Sequence, residues 1–312
     1  KVLAENKMGV MPIGKLLFNM ALPIIISMLV QALYNVVDSM FVSYISEAAL
    51  TAVSLAYPVQ NFMIAVATGT GVGINALLSR SLGERNFQMA NRVAGNAIFL
   101  GLIASIFFAV LGTVGARFYF QTQVSDPEII QLGCDYLFWI CLFAVGLFGQ
   151  VLLSRLLQAT GQTVYSMVIQ MVGAVLNIIL DPILIFGLFG LPAMGVAGAA
   201  VATVVSRYVE LGIVVFWAHT HKVKFPFIAG LYRSLRIPGA MMKQMLQKVA
   251  PLILNEALWS TAITFQSQCY STCGLAVVSA MTIVSTINNM ATVAATAMGN
   301  TVGILMGQML GA

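Results

Sequence analysis

A polytopic bundle of membrane-spanning α-helices is the fold this sequence predicts, and three observations predict it. The 312 residues are 60% hydrophobic and only 8% charged, where soluble domains run at about 45–50% and about 25%. Mean hydropathy is +0.94. The apolar residues fall into eight long runs divided by short charged or turn-forming clusters, and each run exceeds the roughly 20 residues that cross a bilayer core. So few charges cannot coat a compact water-soluble chain of this size.

In order, the spans are expected at 15–44, 49–79, 93–118, 130–156, 163–188, 195–218, 249–272 and 276–306. Lys15 precedes the first, and Ser46-Glu47 separates it from the second. The stretch RSLGERNFQMANR closes the second, and Gln121–Glu128 closes the third. The fourth ends at Arg155 and the turn Ala159–Gly161. GLFGLP ends the fifth, a basic loop near 219–248 follows the sixth, and Cys273–Leu275 divides the last two. All of the 15 lysines and arginines except Arg117 and Arg207 fall on loops of one parity. The positive-inside rule then puts those loops and the N-terminus in the cytoplasm. A multi-pass protein of the cytoplasmic (inner) membrane is expected, with the lipid bilayer as its partner.

Composition excludes several classes. Four cysteines form no disulfide framework. Cys134, Cys141, Cys269 and Cys273 sit in apolar runs as small filler, without the histidines and tight pairs that zinc sites use. His219 and His221 read as solvated loop residues. No glycine-rich loop ends in Lys-Ser or Lys-Thr, so no ATP site is expected. The net charge of +5 is scattered over short loops, which is not a nucleic-acid stripe. Neither GxGD nor HExxH occurs, so no enzyme and no cofactor are expected, and the protein reads as a monomer.

The first two spans overlie the last two at an offset of 228. Pro23 falls on Pro251, Asn61 on Asn289, Gly71 on Gly299 and Leu82-Gly83 on Leu310-Gly311. Helical prolines and an interior amide are costly in lipid, so their coincidence exceeds shared hydrophobicity. Six spans separate the copies, which gives both the same orientation: parallel repeats about an axis along the membrane normal. A chain that opens on Lys1 and ends two spans into its second copy is expected to be part of a longer, twelve-span protein.

An ionised side chain at a helix centre costs about 2.5–3.5 kcal/mol on insertion scales, so each needs an explanation. Asp38 closes the run Gln31, Tyr34, Asn35, Asp38, whose i, i+3, i+4, i+7 spacing makes one stripe on the first span. Asn177 and Asp181 form an i,i+4 pair on the fifth, with Gln170 on the same stripe. Pro182 follows directly and frees the carbonyl of Ile178. A carboxylate, an amide oxygen and a loosened carbonyl make a hard oxygen set suited to H⁺ or Na⁺. Arg207 and Glu210 are i,i+3 on the sixth span and are expected to neutralise each other. Glu256 follows Pro251 with no cation nearby and reads as a mobile, protonatable site. Eighteen methionines add weak support for an adaptable cavity.

Together these features resemble the multidrug and toxic compound extrusion (MATE) family. The matching segments run along nearly the whole chain: ALPIIISMLVQALYNVVDSMFVS, SLGERNFQMANR, LLQATGQT, LNIILDPILIFGL, MGVAGAAVAT, VAPLILNEALWS and AATAMGNTVGILMGQMLGA. The resemblance implies an all-α fold of two six-helix lobes around a central cavity. Residues 1–218 would be the N-lobe, 219–248 the cytoplasmic inter-lobe loop and 249–312 the first two helices of the C-lobe. It also implies an N-lobe cation site at Asp38, Asn177, Asp181 and Thr203, able to take H⁺ or Na⁺. Glu256 matches the first member of a C-lobe Na⁺ pair whose second acid would lie beyond Ala312. Gln31, Tyr34, Asn35 and Gln170 share stripes with the acids and are expected to line the substrate cavity.

The expected function is secondary active multidrug efflux, exporting organic cationic or amphiphilic compounds in exchange for H⁺ or Na⁺. A lipid-linked precursor flippase of the same superfamily is the alternative, though its phosphate would need several cavity cations where only Arg207 lies deep. A non-transporting receptor or scaffold has no reason to keep Asp38 and Asp181 in lipid.

Overall fold

The computed structural model describes residues 11–221 and 275–311, together with residues 247, 250–255, 257–259, 261–262, 265–266 and 269. Among the described residues the regular structure is entirely helical: α1 (Ile13–Ser43), α2 (Glu47–Gly83), α3 (Phe87–Val110), α4 (Ala116–Gln123), α5 (Pro127–Leu142), α6 (Ala144–Ala159), α7 (Thr163–Phe186), α8 (Val196–Thr220) and α9 (Leu275–Gly311).

Local chemistry sets the boundaries. The Ser46 hydroxyl accepts the Ala49 N–H at 3.0 Å to start α2, and the Asn86 side chain accepts the Met89 N–H at 3.0 Å to start α3. Asp126 accepts from the Glu128 N–H at 2.9 Å, with Pro127 in the first turn of α5. These caps satisfy donors that a helix start otherwise leaves open. Gly187 ends α7 in the left-handed conformation at φ +71°.

Among the described residues six helical stretches are long and apolar enough to cross a bilayer, and the bent pair α5–α6, taken as one span, makes a seventh. Large apolar side chains such as Leu33, Val36, Phe118 and Phe216 are exposed on the outer faces, as lipid-facing residues are. The third span continues through a π turn at Leu111–Gly115 into α4. There Gly112 lies so close to α5 that a Cβ would come within 2.1 Å of Cys141 Cβ.

The fourth span departs from expectation. Instead of one rod over 130–156 it breaks at Phe143 (φ −99°, ψ 24°), and α5 and α6 meet at 48°. No proline marks the break. Its cause is tertiary: beyond it, Gly146 is pressed onto the Tyr208 ring of α8, and Phe143 meets the same ring edge-on at 6.2 Å. The histidines also differ from expectation. His219 lies within α8, with Nδ1 2.8 Å from the Val215 carbonyl, and His221 stacks on Trp217 at 4.7 Å. Both complete the end of α8 and are not free loop residues.

Among the described residues the interior holds three buried clusters, two of them large. Met63, Phe108, Tyr136 and Phe148 fill one, while Ile74, Leu78, Leu152 and Leu156 fill the other. α1 lies along α7, and α7 along α8. α9 packs on α1 through Leu16, Met20, Ile304 and Leu305, and on α2 as well.

The α2–α9 crossing is reciprocal. A Cβ on Gly83 would meet the Gln308 carbonyl oxygen at 2.2 Å, and one on Gly311 would meet the Arg80 carbonyl oxygen at 2.2 Å. The offset of 228 exchanges these two contacts, since it carries Gly83 onto Gly311 and Arg80 onto Gln308. Without a hydrophobic drive between helices in lipid, such small residues let backbones approach. Nearby, a Cβ on Gly307 would lie 3.0 Å from Ser79 Cβ. In the full-length protein, Ser79→Cys with Gly307→Cys is expected to cross-link under mild oxidation. Adding Gly83→Ala is expected to slow that cross-link by pushing the helix ends apart, as read by gel mobility after timed oxidation.

Candidate ion and substrate site

Three helices build the site. On α8, Thr203, Ser206, Arg207 and Glu210 share one inward stripe at helical spacing. On α7, Asn177 and Asp181 are one turn apart and buried, Asp181 completely. The packing of α1 along α7 brings Asp38 within reach of Asp181, close enough for the two charges to interact. Pro182 sits inside α7 and withholds the N–H that the Ile178 carbonyl would otherwise accept.

Asn177 ties the set together. Its Nδ2 donates to Asp181 Oδ1 at 3.3 Å and to Thr203 Oγ1 at 3.4 Å. That commits the amide nitrogen to these two partners and leaves the amide oxygen out of both bonds. Asp38 Oδ1, Asn177 Oδ1, Asp181 Oδ2 and Ser206 Oγ are all buried and have no hydrogen-bond partner among the described residues. A buried polar atom left unpaired costs roughly 1–3 kcal/mol, and an unpaired carboxylate costs more. Each of these oxygens is an acceptor left open inside the helix bundle. Among the described residues no three His, Cys, Asp or Glu side chains gather as a transition-metal set.

Beside these oxygens lies a cavity of about 600 Å³, including its open mouth. Asp38 and Thr203 form part of its wall, so the acidic site borders it. Tyr34 and Asn35 of α1 also line it, as do Tyr136 of α5, Phe143 at the bend and Arg207 of α8. Gln60 of α2 lines it too and donates to the Tyr136 hydroxyl at 2.8 Å.

Arg207 and Glu210 are paired at 3.4 Å, and the pair belongs to a wider network. Arg207 also donates to Gln150 Oε1 at 3.5 Å and to the Tyr34 hydroxyl. Gln150 in turn donates to Ser154 at 3.4 Å.

Of the residues singled out from sequence, Asp38, Asn177, Asp181 and Thr203 come together, and Tyr34 and Asn35 line the cavity. Gln31 contacts Tyr34 but is not part of the cavity wall, and neither is Gln170. Glu256 lies outside the described residues. Sequence reasoning missed Gln60, Tyr136 and Ser206. Each lies in a largely apolar run beside another polar residue, and only the packing of several helices shows which way it faces.

Thr203→Val removes both an oxygen and the acceptor of Asn177. Loss of one such hydrogen bond is worth about 1 kcal/mol, so a stability loss of that size is expected in thermal unfolding of the purified full-length protein.

A family model described as MatE matches residues 23–183, the stretch that contains Asp38, Asn177 and Asp181. The chain is 31% identical over 202 residues to an FAD transporter of Shewanella oneidensis, covering 65% of this chain and 45% of that protein. It is 29% identical over 204 residues to a probable multidrug resistance protein NorM of Thermotoga maritima, covering 65% of this chain and 44% of that one. Among solved structures, an outward-facing multidrug resistance MATE family transporter of the MOP superfamily matches with a TM-score of 0.88 at 26% identity, over 100% of this chain and 68% of that one. A MOP superfamily transporter from Pyrococcus furiosus, described as having a binding pocket of reverse polarity, matches with a TM-score of 0.86 at 26% identity, over 99% of this chain and 68% of that one. The chain spans less than half the length of the two curated relatives. With the family match extending over residues 23–183 and the helical architecture shared along the chain, this chain belongs to the MatE family of multidrug and toxic compound extrusion membrane transporters.

Proposed function

We propose that the full-length protein is a secondary antiporter that exports organic, mostly cationic and amphiphilic compounds in exchange for inward-moving H⁺ or Na⁺. One observation carries this reading: Asp38 and Asp181 are neighbouring acids inside the helix bundle, each with a buried oxygen that has no partner among the described residues, and Asp38 forms part of the wall of an aromatic-lined cavity. Structural hydrogen bonds between membrane helices average only about 0.6 kcal/mol, too little to offset two acids placed in lipid.

In the proposed cycle an ion from outside loads on Asp38 and Asp181, with Asn177 and Thr203 as further oxygen ligands. Neutralising the acids weakens the hold on a cationic substrate. It also lets α1 repack near Pro23, so substrate leaves outward. The ion then departs to the cytoplasm, and the acids are free to hold the next substrate. One charge moving inward gains about 2.3 kcal/mol per 100 mV of membrane potential, and its concentration gradient adds to that. The swing needs two packings of nearly equal energy that ion and substrate bias in opposite senses.

The experiment is substrate efflux by the full-length protein in proteoliposomes, with and without Na⁺ at fixed pH and with and without a pH gradient at fixed Na⁺. Efflux that follows one of the two gradients supports antiport. Efflux indifferent to both overturns it.

A further inference from the structure

The ion site leaves one charged group of the α8 stripe unused. Arg207 is buried, yet it forms part of the cavity wall. Its Nη1 donates to Gln150 and to Glu210, and its Nη2 donates to the Tyr34 hydroxyl. A guanidinium carries five N–H donors in a fixed fork, so the Nε–H and the second Nη2–H are not engaged by these bonds. The guanidinium also lies 5.7 Å from the centre of the Tyr34 ring, within cation–π range.

Glu210 does not cancel this charge at the cavity surface. Its carboxylate packs against the backbone of α7, where a Cβ on Gly173 would meet Oε1 at 1.7 Å, and it is not part of the cavity wall. The ion pair is therefore oriented, with its positive end toward the cavity and its negative end toward α7. Asp38 supplies the cavity's negative end, while Tyr34, Tyr136 and Phe143 supply flat apolar surface between them.

We infer that Arg207 is a specificity-determining residue whose unengaged N–H donors, beside the Tyr34 ring in the cavity wall, take the phosphate or carboxylate of an aromatic substrate. The cavity thereby admits aromatic anions as well as the cations that Asp38 suits. The planar guanidinium fork can give two parallel hydrogen bonds to two oxygens of a carboxylate or a phosphate, whereas a lysine ammonium offers only a point charge. The inference rests on the proposed reading of this cavity as the substrate path.

Two probes that differ only by the acid test it: riboflavin and riboflavin 5′-phosphate, bound to the purified full-length protein and followed by fluorescence anisotropy. The readout is the ratio of the two affinities. The parent is expected to prefer the phosphate form by about tenfold or more, a size typical of charge-assisted hydrogen bonds. Arg207→Lys keeps the charge and the pairing with Glu210 but loses the fork. Arg207→Gln with Glu210→Gln removes both charges together and leaves no buried acid unpaired. Arg207→Lys is expected to lower the ratio several-fold, since a point charge still attracts the phosphate, and the double glutamine variant to bring it close to one, so the inference stays testable if either variant fails to fold. A parent without preference overturns it, as does a variant that keeps the ratio or loses both affinities equally. Failure of the antiport reading shows separately, as a parent whose efflux ignores both ion gradients while the phosphate preference persists.

Discussion

Asp38→Asn in the full-length protein is expected to bring substrate efflux down to background while the amount of protein in the membrane stays at the parental level. The amide has the shape of the acid but cannot give up a proton or hold a cation by charge. Asp38 Oδ1 has no partner among the described residues that the substitution would break, and the quantified membrane abundance separates loss of coupling from loss of folding. The site keeps Asn177, Asp181 and Thr203 in their mutual contacts and still lacks one of its two charges. Drug-resistance assays with quantified membrane abundance check this, and parental resistance in the variant removes Asp38 from the coupling scheme.

Gly173→Ala is expected to cost the protein stability. The new Cβ would fall 1.7 Å from Glu210 Oε1 and 2.3 Å from its Cδ. Glu210 cannot swing aside freely, because Arg207 holds it and is itself held by Gln150 and Tyr34. Overpacking costs about 1–3 kcal/mol, and breaking a buried ion pair raises that toward about 3–5 kcal/mol. A clear fall in the unfolding temperature of the purified full-length protein is expected. Gly212→Ala, on the same helix as Glu210 but with nothing within 4 Å of its new Cβ, should stay within about 0.5 kcal/mol of the parent. Equal behaviour of the two variants would show that Glu210 relaxes without cost.

The helices were legible because the physics that makes them is local. A run of about 20 apolar residues between charges has no other stable home, so most expected spans fall within a few residues of the observed helices. Asn177 and Asp181 were legible as a pair because i,i+4 spacing fixes their contact within one helix. Contacts between helices carry no such signal. Thr203 entered only through family resemblance, and nothing in the spacing of Gln60, Tyr136 or Ser206 says that they face the same interior as Asp38. Stripe periodicity names a face but not a depth, which is why Tyr34 reaches the cavity while Gln31 and Gln170 do not. The bend at Phe143 was hidden for a related reason. It comes from the fit of Gly146 against Tyr208, two residues far apart in the chain, and no helix-breaking residue marks it.

The core of the account is that a small cation shares the buried oxygens of Asp38 and Asp181 and moves against substrate. The most direct measurement is ion counterflux in proteoliposomes holding the full-length protein, with substrate driven one way and H⁺ and Na⁺ movement followed together. Substrate-dependent movement of one of these ions in the opposite direction is predicted, disappearing in both Asp38→Asn and Asp181→Asn. Counterflux that survives at the parental rate in either variant would contradict the account.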